Sequence, residues 1–216
     1  MTRVGVFGGT FDPVHHGHLI AAEEARSALG LERVVFVPAR QPPHKPAAPI
    51  TPALHRLAML ALAIAPEPAF ATSRADLDAA GPSYTADLLV RLGAEFGPDV
   101  ALVFVMGADS LVDLPTWHEP ERIVRLATLA VLARPGYAPD LAALERQVPG
   151  VTAATRLVDM PRIEISATDL RRRVAAGRPI RFQVPEAVER YVHAAGLYRV
   201  ADQEPAATSG EPRRGG

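Results

Sequence analysis

Short apolar runs alternate with longer helical patterns along this chain, and that alternation limits its fold more than any other feature. Runs rich in Val, Leu and Phe predict strands at 4–7, 34–38, 69–73, 100–106, 128–133 and 156–159. Several runs are apolar at consecutive positions, which is typical of parallel strands covered on both faces. Helical patterns lie between and after them, at 18–29, 52–65, 85–95, 120–126, 141–148, 168–175 and 185–194. The sequence therefore predicts an α/β fold, a doubly wound, Rossmann-like parallel sheet with helices on both faces.

Composition narrows the class of protein. The 216 residues are 48% hydrophobic and 22% charged, with a net charge of −1, so no basic excess points to nucleic acid. The absence of cysteine excludes disulfides, thiolate zinc sites and a cysteine nucleophile. We expect one domain over residues 1–200. The tail at 201–216, rich in Pro, Gly, Ser, Thr, Glu and Arg, is expected to be disordered.

Location can also be predicted. The first strand runs straight into a glycine turn, so we expect no signal segment. The longest apolar run, at 57–65, is too short to span a bilayer. These features predict a cytoplasmic protein without a membrane partner.

The turn after the first strand carries the strongest chemical information. Gly8 and Gly9 allow a close approach of the backbone to a phosphate, and the helix that follows offers unpaired N–H groups and a positive dipole end. His15 and His18 are three positions apart, so we expect them to share one face of the first helical turn. The segment predicts a phosphate-binding turn.

The same turn allows two other interpretations. The histidines could be ordinary solvent-exposed side chains after a glycine turn. His15, His16 and His18 could also bind zinc, because histidines at helical spacing do so. However, the segment has no HExxH pattern and no thiolate, and Asp12 is the only carboxylate nearby. Phosphate binding is therefore favoured.

More polar residues follow the other predicted strands. In a parallel sheet, ligands bind beyond the carboxyl ends of the strands. The side chains that follow those ends are Arg40, His44 and Lys45 after the second strand, Asp109, Trp117 and His118 after the fourth, Arg134 after the fifth, and Ser166, Thr168 and Arg171 after the sixth. They are expected to meet at one edge of the sheet.

Four groups of residues allow two interpretations each. Ser166-Ala167-Thr168-Asp169 has the form of a capping box, with Arg171 suited to phosphate oxygens or simply exposed. Ser83-Tyr84-Thr85 opens a helix whose N–H groups could hold a carboxylate or only cap the helix. Trp117 could belong to the core or form a flat surface for an aromatic ligand. His44, Lys45 and Arg134 could bind phosphates or be solvated charges.

The motifs resemble those of a known superfamily. Gly8 to Leu19 is similar to the (H/T)xGH signature of the adenylyltransferases, and Ser166, Thr168 and Arg171 match their SxTxxR motif in spacing and order. Four further features look like those of bacterial nicotinate-nucleotide adenylyltransferases. They are the sequence Thr-Phe-Asp-Pro-x-His-x-Gly-His-Leu, a Pro-His-Lys loop, Ser83-Tyr84-Thr85, and Gly107-Ala108-Asp109 with Trp117. The resemblance covers roughly residues 3 to 198. Ala167 stands where that family more often has a second serine.

The resemblance implies that AMP passes from ATP to nicotinate mononucleotide, giving nicotinic acid adenine dinucleotide and pyrophosphate in NAD biosynthesis. It implies His15, His18 and Arg171 as catalytic residues. ATP would be bound by these three together with Gly8, Gly9, Thr10, Phe11, Gly107, Asp109, Ile165, Ser166 and Thr168. The acceptor would be bound by His44, Lys45, Ser83, Tyr84, Thr85, Trp117 and Arg134.

The cofactor and the alternatives follow from the same resemblance. Mg²⁺ is expected to arrive with ATP and to be held by phosphates and water, with no dedicated protein site. A homo-oligomer is compatible with the sequence. Nicotinamide mononucleotide and phosphopantetheine remain alternative acceptors, although the segments at 83–85 and 117 argue against phosphopantetheine. A nucleotide-binding module without catalysis is the alternative of another class.

Overall fold

A single parallel sheet forms the centre of the molecule. The computed structural model describes residues 1–41, 50–133 and 136–199. The strands in these ranges are β1 (Thr2–Gly9), β2 (Arg33–Pro38), β3 (Phe70–Thr72), β4 (Val100–Gly107), β5 (Ala127–Ala133) and β6 (Thr155–Asp159). They lie in the order β3-β2-β1-β4-β5-β6, and every neighbouring pair is parallel. This order defines a doubly wound sheet, so the predicted fold class is confirmed.

A helix follows each of these strands along the chain. The helices are α1 (His16–Leu29), α2 (Ala53–Ile64), α3 (Thr85–Phe96), α4 (Ala108–Asp113), α5 (Pro120–Leu126), α6 (Leu141–Gln147), α7 (Val151–Ala154), α8 (Ala167–Ala175) and α9 (Glu186–Ala194). A short 3-10 turn at Leu114–Thr116 follows α4. The first helix ends because Gly30 adopts a left-handed conformation (φ 59°), from which its N–H donates to the carbonyl of Arg26.

The two faces of the sheet are covered by different helices. One core combines buried residues of α1, α2, α8 and α9 with one set of strand side chains, such as Phe36 and Val103. The other core joins α3 to α7 with the alternate strand positions, such as Val35 and Leu102. Because successive strand side chains point to opposite faces, both sets must be apolar. This explains the consecutive apolar runs.

The sequence pattern missed the shortest elements. α4 and α7 were not predicted, and β3 has three residues where five were expected. A helix of four or six residues gives too few turns for a periodic pattern to be recognised. The first helix also begins at His16 rather than His18, which makes His15 its N-cap.

Two further predictions concern the ends of the fold. The tail at 201–216 lies outside the described residues, and a single domain over residues 1–200 stays a prediction. None of the helices in the described ranges has the length and apolar character needed to cross a membrane.

The helix α2 offers a matched test of the packing. Leu60 is fully buried against the sheet, whereas Leu54 on the same helix is 71% exposed. We expect Leu60→Ala to lower the free energy of unfolding by about 2–5 kcal/mol, because it removes buried methyl groups and leaves a cavity. Leu54→Ala, the control, should change it by less than about 0.5 kcal/mol. Urea unfolding measures both, and equal effects would contradict this packing.

Candidate active site

The residues predicted to bind phosphates come from chain segments far apart in sequence. Gly8 and Gly9 end the central strand β1, His15 caps α1, and Arg171 lies on α8. The loops after β1, β2 and β4 open at the carboxyl edge of the sheet. In this strand order the connections reverse between β1 and β4, which is where such folds bind ligands.

Packing gives a second reason for glycine at position 9, besides the predicted access for a phosphate. A Cβ at position 9 would lie 2.9 Å from the ring of Phe11, so a larger residue would displace that ring. Phe11 is 2% exposed and packs edge-on against Phe7. Its backbone has φ 49°, a left-handed conformation that is uncommon for a non-glycine residue. Because the side chain of Phe11 is in the core, only its backbone can face a ligand.

The two histidines lie against each other. The rings of His15 and His18 stack with centroids 3.7 Å apart and planes 25° apart. The backbone N–H of His15 donates to Nδ1 of His18 at 3.2 Å. A neutral His18 with Nδ1 as acceptor carries its proton on Nε2, which makes Nε2 a donor of the kind that suits a phosphate oxygen.

Burial keeps His15 neutral. Its side chain is 6% exposed, and this burial, with a smaller effect of His16, lowers its pKa to about 4. Two stacked imidazolium rings would repel each other. A neutral His15 avoids this repulsion within the stacked pair.

The second predicted motif contacts the first directly. The guanidinium of Arg171 donates to the backbone carbonyl of Asp12 at 2.6 Å, across 159 residues of sequence. The same group donates to Oγ1 of Thr168 at 3.3 Å. Ser166 caps α8, since its hydroxyl accepts from the N–H of Asp169 at 3.1 Å. The predicted N-cap is confirmed, and the two motifs form one continuous surface.

Asp12 is a buried junction in this region. It is 4% exposed, and its carboxylate accepts from the hydroxyl of Tyr198 at 2.7 Å and from the N–H of Thr51 at 3.1 Å. Burial, together with the neighbouring Asp12, raises the pKa of Tyr198, so its proton stays on the hydroxyl and is donated to Asp12.

A buried arginine supports the glycine turn from the interior of the protein. Arg56 is 1% exposed, and its guanidinium donates to the carbonyl of Thr10 at 2.8 Å and to that of Thr51 at 2.9 Å. Burial lowers the pKa of Arg56, and the charge of Asp12 opposes that shift. The contact fixes the carbonyl of Thr10 within the turn.

A cavity of about 620 Å³ opens beside the glycine turn. It brings together seven of the predicted residues: Gly8, Gly9, Thr10, Ser83, Tyr84, Thr85 and Trp117. The remaining lining residues are Val37, Ala39, Asp76, Leu88, Phe104, Thr116 and His118. A space of this size suits a small organic ligand.

Aromatic residues shape one wall of this cavity. Trp117 is partly buried and meets Phe104 edge-to-face, with ring centroids 6.2 Å apart. Two other lining residues, Tyr84 and His118, stack with ring centroids 4.2 Å apart. Both predicted roles of Trp117 are therefore compatible with its position, because it packs on the core and also lines the cavity.

Several predicted residues lie elsewhere. Gly107 and Asp109 are exposed at the end of β4 and the start of α4, and Ile165 packs against the core just before α8. None of these three lines the cavity. His44, Lys45 and Arg134 lie outside the described residues, so their roles stay predictions.

The residues around the turn do not form a metal cage. Among the described residues, no group of three or more His, Cys, Asp or Glu side chains is placed to hold a metal ion. The donors that gather at the turn are backbone N–H groups, imidazoles, hydroxyls and a guanidinium. This set suits phosphate oxygens.

Sequence reasoning missed three residues of this region: Arg56, Asp76 and Tyr198. His118 was expected at this edge of the sheet, but not as a cavity residue. Arg56 stands in an apolar helix, where a single charge normally marks the solvent side. Asp76 and Tyr198 belong to no motif or spacing. Only an unexplained polar residue within an apolar pattern could have pointed to Arg56.

The fold and the two joined motifs define a class of enzyme. The family model for cytidylyltransferase-like proteins matches residues 6–173. The chain therefore belongs to the cytidylyltransferase-like nucleotidyltransferases.

Curated relatives identify the branch of that class. A probable nicotinate-nucleotide adenylyltransferase of Thermomicrobium roseum is 55% identical over 202 residues, which cover 94% of each chain. One from Roseiflexus castenholzii is 48% identical, covering 91% of this chain and 98% of the relative. With this identity over nearly its whole length, the chain belongs to the nicotinate-nucleotide adenylyltransferase family.

Solved structures agree on the fold. The nicotinic acid mononucleotide adenylyltransferase of Plasmodium falciparum, complexed with NaAD, superposes with a TM-score of 0.73 at 20% identity. The match covers 92% of this chain and 98% of the other.

The low pKa of His15 predicts how stability depends on pH. The unfolded chain has the ordinary histidine pKa of about 6.5 and the folded chain about 4, so the unfolded state binds more protons between these values. Stability from the neutral His15 is complete above pH 6.5 and is lost as pH falls toward 4, by on the order of 3 kcal/mol.

Urea unfolding of the wild type and of His15→Gln at pH 7, 6, 5 and 4 measures this effect. We expect the wild type to lose more free energy of unfolding on acidification than the variant, because the variant has no imidazole to protonate. The same pH dependence in both proteins would contradict a buried neutral His15.

Proposed function

We propose that this chain transfers AMP from ATP to nicotinate mononucleotide, giving nicotinic acid adenine dinucleotide and pyrophosphate in NAD biosynthesis. One observation carries the proposal: Arg171 reaches the carbonyl of Asp12 and so joins the C-terminal motif to the glycine and histidine turn. That surface lies next to a cavity of the size of a small organic ligand. The relatives named as nicotinate-nucleotide adenylyltransferases support the same activity.

The reaction needs no protein base. A phosphate oxygen of the mononucleotide attacks the α-phosphorus of ATP, a new P–O bond forms, and the bond to the β-phosphate oxygen breaks as pyrophosphate leaves. The nucleophile is already an anion. Catalysis therefore depends on holding the two phosphates in line and stabilising the charge that develops.

Different residues around the turn would bind different phosphates of ATP. His18 would donate to the α-phosphate in the transition state, with neutral His15 beside it. Ser166, Thr168 and Arg171 would hold the β- and γ-phosphates. This assignment is supported by the stacked imidazoles and by the guanidinium held at the turn.

The remaining ATP contacts are proposed from the chain's geometry and the resemblance. The backbone at residues 8–11 would approach the phosphates. The ring of Phe11 is buried and so does not block this approach. Gly107, Asp109 and Ile165 would bind ATP, with Asp109 contacting the nucleoside. Gly107 ends β4, Asp109 lies in the first turn of α4 and Ile165 precedes α8, at the same edge of the sheet as the turn.

The acceptor would occupy the cavity. α3 begins at Thr85, and its first N–H groups and positive dipole end suit a carboxylate better than a carboxamide. Trp117 offers an aromatic surface for the pyridine ring. Nicotinate is therefore the preferred base. His44, Lys45 and Arg134 are proposed as partners of the acceptor's phosphate.

Mg²⁺ is proposed to enter with ATP. The donors at the turn are N–H groups and cations rather than carboxylates, which fits a metal held by phosphates and water. When bound, Mg²⁺ would neutralise part of the charge on the phosphates. A cytoplasmic location and a homo-oligomer stay predictions.

The acceptor can be determined by one assay. Pyrophosphate release from ATP and Mg²⁺ is measured with nicotinate mononucleotide, nicotinamide mononucleotide or phosphopantetheine. We expect the highest kcat/KM with nicotinate mononucleotide, because the start of α3 favours a carboxylate. A higher value with another acceptor would contradict the choice of substrate. No turnover with any of the three would contradict catalysis and favour a nucleotide-binding module.

The role of His18 has its own test. His18→Ala should keep the fold and bind the mononucleotide, but its kcat should fall by about 100- to 1000-fold, since one donor to the transition state is lost. His193→Ala, at an exposed position of α9, is the control and should keep wild-type kcat. Circular dichroism verifies folding of both, and an active His18→Ala enzyme would contradict the assignment.

A further inference from the structure

Asp76 is a buried carboxylate in the wall of the cavity, in a position that no motif or proposed step uses. Its side chain is 4% exposed, although the connection between β3 and α3 that carries it is largely at the surface. A carboxylate is almost never this buried unless its charge is compensated. Its contacts therefore indicate what it does.

The contacts of Asp76 join two separate segments of the cavity. Oδ2 accepts from the backbone N–H of Arg40, just after β2, at 2.8 Å. The same oxygen accepts from the hydroxyl of Ser83, directly before α3, at 2.5 Å. Oδ1 pairs with the guanidinium of Arg91 on α3 at 3.3 Å.

Ser83 completes the connection. Its hydroxyl accepts from the N–H of Gln41 at 2.9 Å, and its own N–H donates to the carbonyl of Gln41 at 3.1 Å. Asp76 and Ser83 together thus hold the chain after β2 and the start of α3 in a fixed relative position. The turn into α3 supplies Tyr84 and Thr85 to the cavity.

We propose that Asp76 is a positioning residue for the acceptor: it fixes the start of α3 against the end of β2, so that Ser83, Tyr84 and Thr85 face the cavity in one geometry. This inference rests on the proposed function. Asp76 reaches no phosphate-binding residue of the turn by a hydrogen bond among the described residues. Its loss should therefore affect the acceptor and spare ATP.

The test is Asp76→Asn, which keeps the volume but removes the charge and one acceptor oxygen. We expect the KM for nicotinate mononucleotide to rise by about ten- to one-hundredfold, because hydrogen bonds to a buried charge are strong. The KM for ATP should stay within about twofold, and kcat should fall less than the KM rises.

Asp78→Asn is the matched control. Asp78 is two positions away and exposed, and it pairs with Arg74 at 2.7 Å away from the cavity. This variant makes the same chemical change nearby and should retain both KM values. Thermal unfolding of the two variants shows whether a loss of overall stability accounts for any difference.

A double variant tests whether Asp76 acts through Ser83. If it does, Asp76→Asn combined with Ser83→Ala should raise the acceptor KM no more than Asp76→Asn alone, since both changes break the same connection. Multiplied effects would contradict this route, as would an ATP KM that rises as much as the acceptor KM.

Binding can be measured without catalysis. Trp117 is the only tryptophan of the chain and lines the cavity, so its fluorescence reports the acceptor directly. A wild type that does not respond to nicotinate mononucleotide would contradict the proposed function and the inference with it. A wild type that binds, with Asp76→Asn binding as tightly as Asp78→Asn, would contradict the inference alone.

Discussion

The candidate site depends on Asp12 more than on any other residue. Its carbonyl accepts from Arg171, and its carboxylate accepts from Tyr198 and from the N–H of Thr51. A single residue thus joins the first loop of the fold to three later segments. Because Tyr198 and the N–H of Thr51 both donate to the carboxylate, they satisfy a group that burial would otherwise strongly disfavour. This junction therefore fixes Asp12 at the end of the glycine turn.

A buried charge also supports the turn. Arg56 donates to the carbonyls of Thr10 and Thr51, so these loops are held from inside the protein rather than from solvent. In the low dielectric of the interior, such contacts are strong when every group is paired and costly when one is missing. A site that works by preorganised donors requires this kind of support, because its donors must not reorient as charge develops.

Much of this organisation could be predicted from the sequence. The consecutive apolar runs indicated buried parallel strands, and the residues that follow them were expected at one edge of the sheet. Arg171 and Asp12 do meet there. The short helix α4 could not be predicted, because Gly107-Ala108-Asp109 has the composition of a loop and the helix has only six residues.

The supporting residues were beyond prediction for a different reason. Asp76 has partners 7, 15 and 36 positions away, and no periodic pattern relates such distances. Arg56 occupies an apolar helix, where its burial depends on carbonyls that only the folded chain supplies. Residue type and spacing indicate which groups act on a ligand, whereas the groups that hold them in place are defined by tertiary contacts.

The contact between Tyr198 and Asp12 joins the last described segment of the fold to its first loop, across 186 residues. A ribosome releases the chain from its N-terminus onward, so the glycine turn emerges long before the hydroxyl that anchors it. The contact with Asp12 can form only after Tyr198 has left the exit tunnel. Until then the carboxylate of Asp12 lacks this hydroxyl donor.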